Sequence, residues 1–413
     1  MTPATPSVYR RRRIVAGVVL VLIALVATYL PVALLGPVPQ AAASVTDVAP
    51  TTTPATTLAV PAVGTSAIGL VADGGTTALG TSGSTDSVPI ASITKTITAL
   101  VVLDAKPIDE GGDGPQLTMT DADAAILQAT IAENGSWASV FPGQVLTERE
   151  VIEIMLLESA NNYSVTLTNW AFGDTASYLA AATAWLAEKG LTGTAVVDTS
   201  GLNPGSRSTT ADLLTLARLV LADPVLAGIV GTASVELPQL GAVENTNELL
   251  GMNGIDGVKT GTTDEAGFCL LFSADYTVGD QTVPLVGVVL GAPDEDTLHA
   301  SVLALLQSAE SGFQTVQLVA PGDVVGEYTT AWGSSADIIA QQAVSATVWS
   351  GATVTRTAEA GEIVDGASGT EVGTARFTVD GVTLGGSEFT VPLALASDLD
   401  GPDAGWKLAN PLR

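Results

Sequence analysis

Residues Ile14 to Leu35 form an uncharged, apolar run of 22 residues, interrupted only by Thr28, Tyr29 and Pro31, and Arg10 to Arg13 stand directly before it. A helix of about 20 apolar residues crosses the hydrocarbon core of a bilayer, because a helix satisfies its own backbone hydrogen bonds there. The run therefore predicts a membrane-spanning helix over 14–36. The flanking arginines place the basic residues 1–13 in the cytoplasm and everything after Leu35 on the far side. Ala41-Ala42-Ala43 offers small residues for signal cleavage, but signal-peptide apolar regions usually run 7–15 residues, which favours a retained anchor.

Charge narrows the partners. No acidic residue precedes Asp47, and beyond Arg13 eleven basic residues face forty-three acidic ones. Such a surface repels phosphate backbones, so nucleic-acid binding is excluded, and solubility accounts for the acidity. The single cysteine, Cys269, sits in the apolar run Gly267–Phe272 and reads as a core residue. The single histidine, His299, rules out a multi-histidine zinc site and argues against a Ser-His-Asp triad. A serine enzyme built from this chain has lysine as its remaining candidate base.

Residues 37–62 are rich in Ala, Thr and Pro without periodicity and read as a flexible linker. A folded domain is expected over 63–315. It opens with a hairpin, Ala67–Ala72 and Thr76–Gly80 around Asp73-Gly74-Gly75. Helices are expected from Ser92 to Asp104, over 121–133, from the capping box Thr147-Glu148-Arg149-Glu150 to Leu157, and over 174–189, 210–222 and 295–311. Three strand-like segments over 258–262, 267–274 and 282–290 form an antiparallel meander. Short β-like segments recur over 316–413 and predict a small, all-β C-terminal domain.

Three short patterns carry chemistry. Ser92-x-x-Lys95 opens an apolar helix, so serine and lysine share one face a turn apart. A serine hydroxyl needs a base within hydrogen-bond reach, and a lysine supplies one when burial or nearby positive charge disfavours its ammonium form. The helix N-terminus adds free N–H groups where negative charge develops. Ser159-Ala160-Asn161 follows the end of a second helix, and Lys259-Thr260-Gly261 lies on a strand after a turn. Taken singly, Ser159 is a helix-boundary residue, Asn161 a turn former and Lys259 an edge-strand charge. Their order and contexts make the set specific.

With these motifs, and with Asp256–Gly267 and Ser200-Gly201-Leu202, the chain from about Ala67 to Ser311 resembles the serine D-alanyl-D-alanine carboxypeptidases, the low-molecular-mass penicillin-binding proteins. The resemblance implies an α/β (α+β) fold of the β-lactamase/transpeptidase type. Such a fold has a five-stranded antiparallel sheet flanked by helices and a helical subregion carrying Ser159. It implies a substrate, peptidoglycan stem peptides ending in D-Ala-D-Ala, with β-lactams as inhibitors and no metal or organic cofactor. Carried over by residue, Ser92 is the nucleophile and Lys95 takes its proton. Ser159 relays a proton to the leaving amine, Asn161 positions substrate and Lys95, and Lys259 keeps the site positive. Thr260, Gly261 and Thr262 line the substrate, with the two threonines contacting its terminal carboxylate, and the backbone N–H groups of Ser92 and Thr262 form the oxyanion hole. Several relatives carry an arginine after the strand that follows Lys-Thr-Gly; here that region reads Gly291-Ala292-Pro293-Asp294, and no arginine lies between Arg218 and Arg356. A β-lactamase needs a deacylating glutamate past Ser-x-Asn. The only glutamate between Asn161 and Arg207 is Glu188, in Ala187-Glu188-Lys189-Gly190, so slow turnover of penicillin is expected.

Overall fold

The computed structural model describes residues 6–72 and 74–411. The start of the basic N-terminus and Asp73 of the hairpin turn lie outside the described residues. The first helix, α1 (Pro6–Leu35), includes a segment, Val8–Leu35, long and apolar enough to cross a membrane. Its side chains are exposed nearly all round, Leu20 to 67%, as a helix solvated by hydrocarbon would have them.

The chain divides into two compact units, one of residues 54–314 with 347–351 and one of 1–53, 315–346 and 352–413. The larger unit is built on a five-stranded antiparallel sheet. Its strands are β3 (Thr65–Ala72), β4 (Gly75–Ser82), β5 (Ile255–Thr263), β6 (Gly267–Val278) and β7 (Gln281–Ala292), in the order β5-β6-β7-β3-β4. Alternation along the strands divides the apolar side chains between two faces. Ala67, Leu271, Val286 and Val288 share a core with Leu213, Leu214 and Ala217 of helix α7 (Thr210–Ala222). The alternate residues Ile68, Phe272 and Leu285 are also buried, on the face covered by helix α9 (Glu295–Glu310), whose Leu298, Val302 and Leu305 are buried too. Helices therefore cover both faces.

The remaining helices of this unit are α2 (Thr94–Ala105), α3 (Asp121–Ala132), α4 (Glu148–Leu157), α5 (Asn161–Phe172), α6 (Thr175–Glu188) and α8 (Pro224–Val230). Every residue of α2 from Thr94 to Leu103 is buried, and α4, α5, α6 and α7 pack against it. The capping box at Thr147 forms as the sequence predicts: Glu150 N–H donates to Thr147 Oγ1 at 3.2 Å, and Thr147 N–H to Glu150 Oε2 at 2.7 Å.

The smaller unit departs from the sequence reading. Residues 42–45 and 51–52, read as part of a flexible linker, are strands β1 (Ala42–Val45) and β2 (Thr51–Thr52). They form the two edges of a seven-stranded sheet with β8 (Val324–Thr329), β9 (Ser335–Ala340), β10 (Thr353–Ala360), β11 (Glu371–Asp380) and β12 (Glu388–Leu395), in the order β1-β8-β9-β12-β11-β10-β2. Both edges come from one short segment, so the sheet must curl until its ends meet. The pairing runs through the backbone, which composition does not report. Ala41 joins the core with Tyr328, Ile338, Phe377 and Leu393. The 316–413 region is also not purely β: it ends in helix α10 (Ala404–Ala409), capped by Asp403 and with Lys407 donating to the Leu34 carbonyl of α1 at 3.5 Å.

Candidate active site

Ser92 lies in a single 3₁₀ turn, Ala91–Ile93, that feeds α2. The turn is set by two close approaches. Ala91 holds φ +45°, and Gly201, at φ +83°, packs on its carbonyl so tightly that any Cβ there would collide with it. On the other side Gly261 of β5 passes so close that a Cβ would lie 3.0 Å from the Ser92 nitrogen and from the Ile90 carbonyl. The strand carrying Lys259-Thr260-Gly261-Thr262 is thereby held beside the Ser92 amide.

Lys95 is fully buried one turn further on, and its Nζ donates to Ser92 Oγ at 2.8 Å and to the Ser200 carbonyl at 3.1 Å. Burial drives its pKa well below the ordinary lysine value. The charge of Lys259 pushes the same way, while Asp198 opposes. Lys259 is buried as well, donates to Thr260 Oγ1 at 3.3 Å, and is pushed down to about 7 by burial. Two lysines that repel each other in a desolvated cleft favour a neutral amine beside the hydroxyl. Thr260 is half-buried and shares a 2.6 Å hydrogen bond with Thr246, whereas Thr262 is exposed at the mouth.

Ser159 and Asn161 sit at the junction of α4 and α5, both nearly buried. Ser159 holds φ +59°, and the chain bends there directly into α5. Asn161 is thus the first residue of a second helix rather than a residue past the end of one. Among the described residues, neither side chain hydrogen-bonds Ser92, Lys95 or Lys259. A buried polar web ties the segment to them instead. The Asn161 carbonyl accepts from Ser164 Oγ at 2.7 Å, Ser164 Oγ meets Thr199 Oγ1 at 2.8 Å, and the Thr199 carbonyl accepts from Thr98 Oγ1 of α2 at 2.8 Å. Thr98 also meets the Tyr178 hydroxyl at 2.8 Å.

Sequence reasoning left residues 198–205 as loop, yet this loop presents the carbonyl that holds Lys95. Asp198 organises it, accepting from Gly201 N–H at 3.0 Å, Ser200 Oγ at 3.2 Å, Asn203 N–H at 3.2 Å and the Ser206 hydroxyl. The signal was present: an Asp followed by Ser, Gly and Asn is the pattern of a carboxylate closing its own turn. Glu188 is exposed at the end of α6, pairs with Lys189 at 2.8 Å, and makes no hydrogen bond to Ser92, Lys95 or Lys259 among the described residues. Cys269 is buried, with its thiol pushed up to about 11, and is a core residue. A cavity of about 300 Å³ is lined by Thr65, Val88, Pro89, Glu265 and Leu290 among others, and by none of the motif side chains.

Residues 56–294 match the family model described as D-alanyl-D-alanine carboxypeptidase. The chain belongs to that family. Among curated members it is 28% identical over 231 residues to D-alanyl-D-alanine carboxypeptidase DacF of Bacillus subtilis, covering 54% of this chain and 57% of that protein. It is 31% identical over 238 residues to a D-alanyl-D-alanine endopeptidase of Pseudomonas aeruginosa, covering 54% and 70%. The chain thus spans about three-fifths of the length of several curated relatives it matches. The family fold is also visible in solved structures. The Streptomyces K15 DD-transpeptidase superposes with a TM-score of 0.53 at 24% identity, over 61% of this chain and 98% of that one. Penicillin-binding protein 5 of Haemophilus influenzae does so with a TM-score of 0.56 at 19% identity, over 84% and 98%.

Proposed function

We propose that this family member is a serine-type D-Ala-D-Ala carboxypeptidase that removes the terminal D-alanine from peptidoglycan stem pentapeptides. The observation that carries the reading is the buried Lys95 amine 2.8 Å from Ser92 Oγ, its ammonium form disfavoured by burial and by Lys259. Ser92 Oγ bonds to the carbonyl carbon of the penultimate D-alanine while its proton passes to Lys95. The oxyanion that forms is held by the N–H groups of Ser92 and Thr262, where losing one donor costs about 3 kcal/mol of barrier. The C–N bond then breaks, and the proton reaches the leaving amine by way of Ser159, with Asn161 orienting the peptide. Water hydrolyses the acyl-enzyme and restores Ser92.

Lys259, Thr260, Gly261 and Thr262 bind the terminal carboxylate without help from an arginine on β7, where Gly291 and Ala292 stand. An incoming carboxylate returns Lys259 to its charged form, so recognition and the electrostatics of Lys95 are linked. β-Lactams acylate the same serine and are released slowly, because the only glutamate between Asn161 and Arg207 is Glu188, a solvent-exposed residue at the end of α6. The apolar helix α1 anchors the protein, with Arg10 to Arg13 cytoplasmic and the catalytic unit outside the cell membrane with its substrate.

The test is release of D-alanine from a D-Ala-D-Ala pentapeptide by the purified protein. Wild type should release it and Ser92→Ala should not. Release by Ser92→Ala equal to wild type ends this reading, and penicillin labelling without any release points to a binding scaffold instead.

A further inference from the structure

The only histidine of the chain is not a solitary surface residue. His299 and Glu295, four residues apart on the first turns of α9, meet Glu248 from the segment that precedes β5, with one ligand atom of each within 4.8 Å of the others. Spacing of i and i+4 puts an imidazole and a carboxylate on one helix face, and the third donor arrives from 47 residues upstream of Glu295. We propose that these three side chains form a binding site for a divalent transition metal of the zinc class.

The backbone at all three positions is fixed without any ion. Glu248 lies between Asn247 and Leu249, both buried. The Asn247 amide donates to the Gly257 carbonyl at 3.3 Å, and its Oδ1 accepts from Leu249 N–H at 3.2 Å. His299 follows the buried Leu298, and the Asp294 cap accepts from Thr297 N–H at 2.7 Å. Rigid elements thus present the donors, while the side chains keep the freedom to close. Neither glutamate belongs to an ion pair among the described residues, although Asp294 and Asp296 add to the negative charge around them. Two carboxylates at this separation repel, and a cation removes that repulsion.

The donor set selects the metal. One imidazole and two carboxylates suit zinc or its first-row neighbours, whereas calcium and magnesium prefer oxygen donors alone. Zinc lies about 2.0–2.2 Å from such ligands, so donors around it stand roughly 3.4 Å apart, a contraction that small side-chain rotations supply. Three protein ligands leave a position for water. The site has a structural consequence, because β5 is an edge strand and the segment bearing Glu248 also carries Thr246, which is hydrogen-bonded to Thr260. A bound ion ties this segment to α9 beside the Lys-Thr-Gly strand.

Cobalt(II) is the probe, added as CoCl₂ to the detergent-solubilised full chain. One equivalent should give a visible d–d absorption band that ZnCl₂ abolishes and that a hundredfold excess of CaCl₂ or MgCl₂ leaves in place. His299→Ala and Glu248→Gln should each weaken binding at least tenfold, with the circular dichroism spectrum unchanged. Zinc should also slow hydrogen exchange of amides 245–250 in wild type and not in either variant. Absence of a band at millimolar cobalt overturns the proposal, as does a band of equal affinity in both variants or ready displacement by calcium.

Discussion

The two units of this chain bury different things. Among the described residues, the buried polar and charged side chains lie in the larger unit, with Thr53 of the smaller one the single exception. The core of the curled seven-stranded sheet is Val, Ile, Leu, Ala, Phe and Tyr328, whose hydroxyl is satisfied by the Gly361 carbonyl. The larger unit instead buries two lysines, Asn161, Ser164, Thr98, Thr199 and Ser200 around one hydroxyl. Burying a polar group costs several kcal/mol unless it finds partners, and burying an ammonium costs more. A fold that needed only stability would fill the Lys95 position with leucine. The contrast supports the proposed site: the two buried lysines, and much of the polar burial, belong to the unit that carries Ser92.

That contrast breaks most directly through variants that separate activity from stability. Ser92→Ala should lower D-alanine release by about 10⁴-fold or more while the melting temperature stays within a few degrees, since one hydroxyl is lost and no packing. Phe377→Ala in the smaller unit should do the reverse. It should lose about 3–5 kcal/mol on chemical denaturation, with kcat of the folded protein unchanged. If Phe377→Ala instead abolishes turnover of folded protein, the division of labour is wrong.

Gly201→Ala should lie between these. A Cβ at φ +83° against the Ala91 carbonyl displaces the Ser92 turn, so both stability, by roughly 1–3 kcal/mol, and acylation rate should fall together. Stopped-flow measurement of penicillin acylation alongside a melt checks this.

The buried lysine gives a pH signature. Lys259 is pushed down to about 7 in the folded protein from an ordinary value near 10.5, so between those values the unfolded chain binds more protons. Stability should therefore rise with pH from about 7 toward 10, and this slope should shrink in Lys259→Met. The smallest effect should come from Glu148. It is fully buried without a hydrogen-bond partner for either oxygen, and burial pushes it up to about 7 from 4.5. Here the folded state binds the extra proton, so stability falls as pH rises from about 4.5 to 7. Glu148→Gln should flatten that fall in a series of melts.

Much of this was legible from sequence. The Ser92 helix, the Thr147 capping box and the β5–β7 meander follow from local pattern, because apolar spacing and caps are written in adjacent residues. The antiparallel sheet and its helices follow from the family resemblance. Helix α5 was missed because its first turn, Asn161-Asn162-Tyr163-Ser164, lacks an apolar stripe. Its polar residues are buried against the 134–139 segment, where Asn162 exchanges two hydrogen bonds with Ala138. Strands β1 and β2 were hidden because their partners lie about 300 residues away. Asp198 escaped notice because its role is to shape a backbone carbonyl rather than to touch a reactant.

The central claim is that Lys95 activates Ser92. Mass spectrometry of the peptide carrying a benzylpenicillin adduct tests it most directly, in wild type and in Lys95→Ala. The adduct should sit on Ser92 in wild type and form at least a thousandfold more slowly in the variant. An adduct on another residue, or equal labelling rates in the two proteins, would contradict the account.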